Sequence, residues 1–141
     1  MSKIDDTILE IASQYAVNVH LNDEHCGHNE GGRAGIDIYL GEFDDKNIKL
    51  FAFFHELAHA TFPLNGAKYH MSKLSQEGAC WEYAIGLAAK HGYKYDYDSK
   101  ELVYGRQAYY SYFKEHTNEL KIAMYHLDCI RDDITTILSI K

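Results

Sequence analysis

One stretch of the sequence, residues 48–60, is apolar on nearly all sides when it is drawn as a helix. Mostly apolar residues from Ile48 to Phe54 precede the pentapeptide His55-Glu56-Leu57-Ala58-His59, and Ala60 follows it. A helix without a polar face belongs in the interior of a domain. Two imidazoles and a carboxylate buried there would be costly unless a partner satisfied them. The sequence therefore predicts a buried helix whose polar groups bind a metal ion.

The spacing of the two histidines in this HExxH pentapeptide suits a metal site. Because residues four apart are separated by about one helical turn, His55 and His59 share a face, and both imidazoles can reach one divalent ion at about 2.0–2.1 Å. Glu56 points to a neighbouring face, where a carboxylate can take a proton from a water molecule bound to the metal. A purely structural zinc site does not need this carboxylate, so the motif predicts catalysis.

A catalytic zinc site with two histidines needs a third protein ligand. The HExxHxxGxxH class is excluded, because Phe62 and Asn65 stand where that class has glycine and histidine. Glu77, in the first turn of the next predicted helix, is the preferred ligand, since an antiparallel helix pair brings it within reach of the histidines. The helix dipole alone also favours a glutamate there. Glu82 on the same helix and His70 in the preceding loop remain as alternatives.

Hydrophobic spacing predicts an α+β fold, a mostly helical single domain with a small sheet and two C-terminal helices. Helices are predicted over 4–16, from Asp44 or Asp45 to about 61, and over about 75–91, 99–116 and 117–140. Alternation predicts strands over 17–21 and 36–40, with a polar, glycine-bearing loop over 22–33. Pro63 and Gly92 are expected to end the helix that carries the motif and the helix that carries Glu77.

Composition limits the class of protein. The chain has 141 residues, 46% of them hydrophobic, which suits one compact domain over residues 1–141. The formal net charge of −7 argues against binding through phosphates, so no nucleic-acid partner is expected. We find no targeting segment or membrane-spanning run, and no membrane partner is expected. Cys26, Cys80 and Cys129 form no CxxC pair, which fits a reducing, cytoplasmic setting.

Segments 54–60 (Phe-His-Glu-Leu-Ala-His-Ala) and 77–84 (Glu-Gly-Ala-Cys-Trp-Glu-Tyr-Ala), with the strand before them, resemble the ImmA/IrrE-type metallopeptidases. These are compact relatives of the thermolysin-like gluzincins, and the resemblance covers about residues 30–90. It implies a minimal gluzincin-like zincin core with one Zn²⁺ held by His55, His59 and Glu77, and with Glu56 as the catalytic base. The implied activity is hydrolysis of a peptide bond in a protein substrate, often a regulator of the repressor type.

Two residues depart from the pattern of that family. Its second helix usually carries an ExEANxFA-like sequence, whereas here Ala79 replaces the second glutamate and Trp81 stands where asparagine or aspartate is common. Polar support of a zinc histidine from that position is therefore not assured. The departures favour an alternative function, a catalytically silent zinc-binding regulatory or interaction protein. The presence of Glu56 argues against it, and a hydrolase of non-peptide amides would use the same residues.

Two further roles have candidates in the sequence. The strand over 36–40 is either a sheet edge that could pair with an extended substrate or a plain core strand. An oxyanion stabiliser could be Tyr104, Tyr109, Tyr110 or His126. Aromatic packing against the motif helix is the competing explanation for each of these side chains.

The polar loop carries a cluster of metal-ligand residue types, His20, His25, Cys26 and His28. The cluster lacks a recognisable zinc spacing, which is more typical of a surface than of a site. A thiolate from Cys26 could nevertheless act as an inhibitory fourth ligand of the zinc ion.

Overall fold

A computed structural model of the protein describes residues 2–24, 26–30, 36–61 and 73–115. Its elements are α1 (Lys3–Gln14), β1 (Val17–Asp23), β2 (Gly27–Glu30), β3 (Ile36–Gly41), α2 (Lys46–Thr61), α3 (Lys73–Lys90) and α4 (Lys100–Glu115). The fold is α+β and mostly helical with a small sheet, which confirms the predicted class. The predicted helix over 117–140 and Pro63 lie outside the described residues. None of the described helices has the length and apolarity to pass through a lipid bilayer.

The three strands form one mixed sheet in the order β1-β3-β2. β1 runs parallel to β3, with Val17 opposite Ile36. β2 runs antiparallel to β3, with Gly27 opposite Tyr39. β3 is thus the middle strand, so the alternative that placed residues 36–40 at a sheet edge is wrong, and the core-strand alternative is right.

The polar loop predicted over 22–33 is wrong in part, because β2 lies within it. The strand reads Gly-His-Asn-Glu and has none of the alternating apolar residues from which strands are predicted. It is held in the sheet by backbone hydrogen bonds to β3. β2 is an edge strand among the described residues, and short polar strands are common at the edges of natural sheets. Pairing with β3, rather than the side chains of β2, therefore accounts for this strand.

α2, which carries the HExxH motif, is the central helix of the domain. Its residues from 49 to 58 are all buried, and it packs against α1, α3, α4 and the sheet. Asp45 caps its N-terminus, since its Oδ1 accepts the backbone N–H groups of Asn47 at 2.9 Å and Ile48 at 3.2 Å. Each large apolar side chain buried along α2 contributes about 1.5–3 kcal/mol. The position of the motif is therefore set by much of the hydrophobic core.

α3, which carries Glu77, ends in a Schellman motif at the predicted glycine. The N–H of Tyr93 donates to the carbonyl of Ala88 at 2.8 Å, and the N–H of Gly92 donates to that of Ala89 at 3.0 Å. Gly92 has a φ of 89°, in the left-handed region that glycine enters without strain. The predicted end of this helix is confirmed.

A buried ion pair joins α1 to α2 upstream of the motif. Lys49 Nζ lies 2.8 Å from Asp5 Oδ1, and the two residues are 0% and 6% exposed. Neither atom has a further hydrogen-bond partner among the described residues. Asp5 also belongs to a capping box with Ser2, whose Oγ accepts the Asp5 N–H at 3.1 Å. The start of α1 is thereby tied to the helix that carries the motif.

Two glycines in helices α3 and α4 should respond in opposite ways to replacement by alanine. A Cβ at Gly105 would lie 3.1 Å from the ring of Phe51 and 3.2 Å from that of Trp81, whereas a Cβ at Gly86 would meet no described atom within 4 Å. We expect Gly86→Ala to stabilise the protein by about 0.5–1 kcal/mol through helix propensity. Gly105→Ala should destabilise it by about 1–3 kcal/mol through overpacking. Denaturant unfolding of both variants checks this, and a stabilised Gly105→Ala would contradict the close packing of α4.

Candidate metal centre

The structure brings His55, His59 and Glu77 together between α2 and α3. His55 Nε2 lies 2.9 Å from Glu77 Oε1, and His59 Nε2 lies 2.9 Å from Glu77 Oε2. The two imidazole nitrogens are 3.2 Å apart. These three residues are close enough to hold one metal ion. Glu82 is exposed and does not belong to this cluster, and His70 lies outside the described residues.

The spacing of the two imidazole nitrogens and the two Glu77 oxygens suits a tetrahedral ion. Bonds of about 2.0–2.1 Å would separate the ligand atoms by about 3.3 Å. The observed separations of 2.9 and 3.2 Å need to open by only a few tenths of an ångström. Two imidazoles and one carboxylate also form a donor set found in catalytic sites with an open fourth position. The residues therefore fit a bound divalent metal ion.

Electrostatics in the cluster favour the charged forms of Glu77 and His59. Burial raises the pKa of Glu77, but hydrogen bonds from His55 and His59 outweigh it and bring the pKa to about 2. Burial lowers the pKa of His59, but hydrogen bonds with Cys80 and Glu77 outweigh it and raise the pKa to about 10. The carboxylate is thus negative and aimed at the histidines, where it can help to hold a cation.

Glu56 lies beside the cluster but does not belong to it. Its side chain is buried, and its Oε1 is 3.7 Å from His55 Nδ1, on the side of the ring opposite Nε2. Burial, followed by the proximity of Cys26 and Glu56, raises the pKa of Tyr104 to about 12. The phenol of Tyr104 is therefore protonated at neutral pH and lies near the Glu56 carboxylate.

The structure separates the candidates for oxyanion stabilisation. Tyr109 donates its hydroxyl to the carbonyl of Leu74 at 3.3 Å, and Tyr110 is 61% exposed. His126 lies outside the described residues. Tyr104 packs edge to face against Phe43 and lies near Glu56. Of the three candidates that the structure describes, Tyr104 is the one whose pKa Glu56 influences.

Two residues of α3 that the sequence did not single out as part of the site contact the histidines. Trp81 stacks on His55 with ring centroids 3.5 Å apart and planes 4° apart. The buried side chain of Cys80 hydrogen-bonds to His59. Cys80 and Trp81 follow Glu77 by three and four residues, so helical spacing places all three on the same face. That spacing is the signal from which both contacts could have been predicted.

A cavity of about 530 Å³ lies between α3 and α4. Its mostly apolar lining includes Phe51, Gly78, Trp81, Tyr97, Leu102 and Tyr109. His55, His59 and Glu77 are absent from the lining residues, and Trp81 is shared by the cavity and the histidine cluster. The cavity is therefore distinct from the candidate metal centre.

The loop cluster predicted from sequence does not form a metal site among the described residues. His20 Nε2 pairs with Asp37 Oδ1 at 3.1 Å, and the His20 ring stacks on Tyr39 with centroids 4.7 Å apart. Cys26 Sγ accepts the N–H of Gly41 at 3.4 Å and is not one of the three clustered ligands. His25 and the side chain of His28 lie outside the described residues. The alternative in which Cys26 acts as an inhibitory fourth ligand is not supported by this geometry.

Two glutamates of α3 provide a matched test of the metal centre. We expect Glu77→Ala to lose most of the bound metal, because it removes one of three ligands. Glu82→Ala should keep the wild-type metal content, since Glu82 lies on the same helix but is exposed and is not one of the three clustered residues. Elemental analysis of protein purified without chelators measures both. Equal metal content in the two variants would contradict the assignment of Glu77.

Comparison of the chain with protein families, curated proteins and solved structures found no match in any of the three.

Proposed function

We propose that the protein is a zinc-dependent metallopeptidase that hydrolyses a peptide bond of a protein or peptide substrate. One observation carries the proposal. His55, His59 and Glu77 converge to within ligand spacing, and the Glu56 carboxylate lies buried beside them. A set of three metal ligands alone would be compatible with many functions. An additional carboxylate that the metal does not need for binding is what favours hydrolysis.

The donor set supports zinc as the metal. Two imidazole nitrogens and one glutamate oxygen leave a fourth position open, as in zinc hydrolases with a His₂Glu site. Bound Zn²⁺ supplies a Lewis acid, which makes water more acidic and polarises a carbonyl group. His55, His59 and Glu77 bind the ion, and Cys80 helps to orient His59 through its hydrogen bond.

Glu56 is the proposed general base and general acid. Its carboxylate takes a proton from the attacking water molecule and then passes this proton to the nitrogen of the leaving amine. Its burial beside His55 holds the carboxylate at the edge of the metal cluster. The phenol of Tyr104 is proposed to donate a hydrogen bond to the oxyanion, which its raised pKa of about 12 permits at neutral pH.

The backbone of an extended substrate could pair with β2. β3 has neighbours on both sides, but in the described part of the chain β2 is a terminal strand of the sheet and lies close to α2. Among the described residues no other strand pairs with the outer side of β2, so this side can accept another chain by β-augmentation. The proposed substrate edge is therefore β2 and not β3, which the sequence left open as either a sheet edge or a core strand.

The resemblance to ImmA/IrrE-type metallopeptidases supports a protein substrate, such as a regulator, in a cytoplasmic setting. The alternative of a silent zinc-binding regulatory protein draws support from Ala79 and Trp81, which replace polar residues of that family. Glu56 is the residue that separates the two functions, because a silent protein gains nothing from a buried carboxylate at this place.

A peptide-library experiment tests the proposal. Zinc-loaded wild-type protein and its Glu56→Gln variant are incubated with peptides derived from a bacterial proteome, and new termini are identified by mass spectrometry. The proposal expects termini that appear with the wild type and not with the variant. Zinc-loaded protein that produces no new termini, from this library or from intact regulator proteins, would favour the silent zinc protein.

A further inference from the structure

We propose that Trp81 is a positioning residue whose indole sets the ring orientation of His55 for metal binding. Because it concerns the zinc site, this role rests on the proposed function. The two rings are nearly parallel, at 4°, with centroids 3.5 Å apart. His55 keeps its Nε2 directed at Glu77 in this arrangement. The stack thus acts on the ligand ring and not on the metal.

Among the described residues, no hydrogen bond supports the His55 ring in the way usual for zinc histidines. The second ring nitrogen of such a histidine commonly donates to a carboxylate or carbonyl, which fixes the orientation of the ring. Within the described residues, the carboxylate nearest to His55 Nδ1 is that of Glu56, at 3.7 Å, which is too long for a hydrogen bond. Glu56 is also the proposed general base, so its carboxylate is needed for proton transfer. Face-to-face contact with Trp81 restricts the same rotation without a hydrogen bond.

The surroundings of Trp81 hold its indole against His55. A Cβ at Gly105 of α4 would lie 3.2 Å from indole Cε3, so the backbone of α4 runs close behind the ring. The rings of Phe51 and Tyr104 contact it, with centroids at 5.7 and 6.3 Å. The indole cannot leave His55 without a shift of α4, which makes it a rigid support.

Hydrogen bonding of the indole N–H does not account for the presence of a tryptophan at this position. Trp81 Nε1 is buried and has no hydrogen-bond partner among the described residues. An unsatisfied buried donor costs about 1–3 kcal/mol. A phenylalanine would fill much of the same space without that cost. Trp81 therefore contributes through the large, flat face that its indole presents to the His55 ring.

Zinc affinity tests the role with a matched pair of variants. Wild type, Trp81→Phe and Trp81→Leu are titrated with zinc in competition with a chromophoric chelator. Trp81→Leu keeps an apolar side chain but loses the flat face, and we expect its affinity to fall about 10–100-fold, the range for loss of a residue that supports a ligand. Trp81→Phe keeps a flat aromatic ring and should retain most of the wild-type zinc affinity. A Trp81→Leu variant that folds and binds zinc as tightly as wild type would overturn the proposal.

A fluorescence measurement on the wild type tests the proposed role of Trp81 even if Trp81→Leu fails to fold. Trp81 is the only tryptophan of the chain, so its fluorescence reports on this stack alone. Zinc should change the emission and saturate at about one ion per chain, whereas Glu77→Gln should show no change at the same zinc concentrations. Zinc binding without a change in emission would overturn the proposal. Protein that binds zinc with these signals but cleaves no peptide would refute the peptidase and leave the role of Trp81 standing.

Discussion

Replacement of Glu56 by glutamine is expected to slow peptide cleavage by about 10²–10⁴-fold, the contribution of a positioned general acid–base group. Glutamine nearly matches the shape of glutamate but cannot accept a proton from the attacking water. Because Glu56 is not one of the three clustered ligands, the zinc content should stay at the wild-type level. The cleavage rate is measured on a site found in the peptide library, and the zinc content by elemental analysis. A variant that cleaves at the wild-type rate would contradict the mechanism.

Tyr104→Phe is the comparison variant for this experiment. It removes one hydroxyl near Glu56 and leaves the metal ligands untouched. Loss of one oxyanion donor lowers kcat by up to about 10²–10³-fold, with little change in KM. An unchanged kcat in Tyr104→Phe would remove Tyr104 from the mechanism and leave the role of Glu56 intact. The two variants therefore test the proposed proton transfer by Glu56 and the proposed oxyanion hydrogen bond from Tyr104 separately.

Replacement of Lys49 by methionine is expected to lower the free energy of unfolding by about 3–5 kcal/mol, because the Asp5 carboxylate remains buried without its cation. Asp5→Asn should have an effect of the same sign, since Lys49 Nζ has no other hydrogen-bond partner in the described part of the chain. The double variant should regain most of the loss, because neutral residues often replace a buried pair without cost. Denaturant unfolding of the four proteins gives the coupling energy. A coupling energy near zero would show that the pair is not formed.

The same pair gives stability a dependence on pH. The hydrogen bond from Lys49 is the main cause that holds the pKa of Asp5 below 3.8 in the folded protein. The stabilisation from this ion pair is therefore complete above about pH 3.8. It is lost as the pH falls through the lower pKa that Asp5 has in the folded protein. Wild type should lose more stability than Asp5→Asn on acidification below about pH 4. Parallel acid dependence in the two proteins would argue against a charged Asp5.

Much of the fold could be predicted because it depends on local patterns. Helical spacing of apolar residues predicted the described helices, and the alternating residues 17–21 and 36–40 predicted β1 and β3. The HExxH motif placed His55 and His59 one helical turn apart, which follows from helix geometry alone. Glu77 could be preferred over Glu82 because only one of the two can face α2. These features need no knowledge of distant contacts.

The features that were missed depend on distant contacts. β2 is held by pairing with β3, and its own polar sequence gives no sign of it. The central place of β3 follows from strand order, which alternation does not encode. Lys49 lies in an apolar run, and its partner Asp5 lies on a different helix far back in the sequence. Helical spacing places Trp81 on the same face of α3 as Glu77, but its parallel stacking on the His55 ring depends on how α2, α3 and α4 pack against one another.

The participation of α1 and β1 in the core has a consequence for attempts to shorten the protein. Ile8, Ile11 and Ala12 of α1 are core residues, and β1 forms one side of the sheet. A fragment of residues 30–90, which carries the resemblance to known peptidases, would lose these elements and the whole of α4. It would uncover the apolar flank of α2 and remove the backbone that lies behind Trp81. The smallest unit that can hold the HExxH helix against Glu77 is therefore considerably larger than the motif and its third clustered residue.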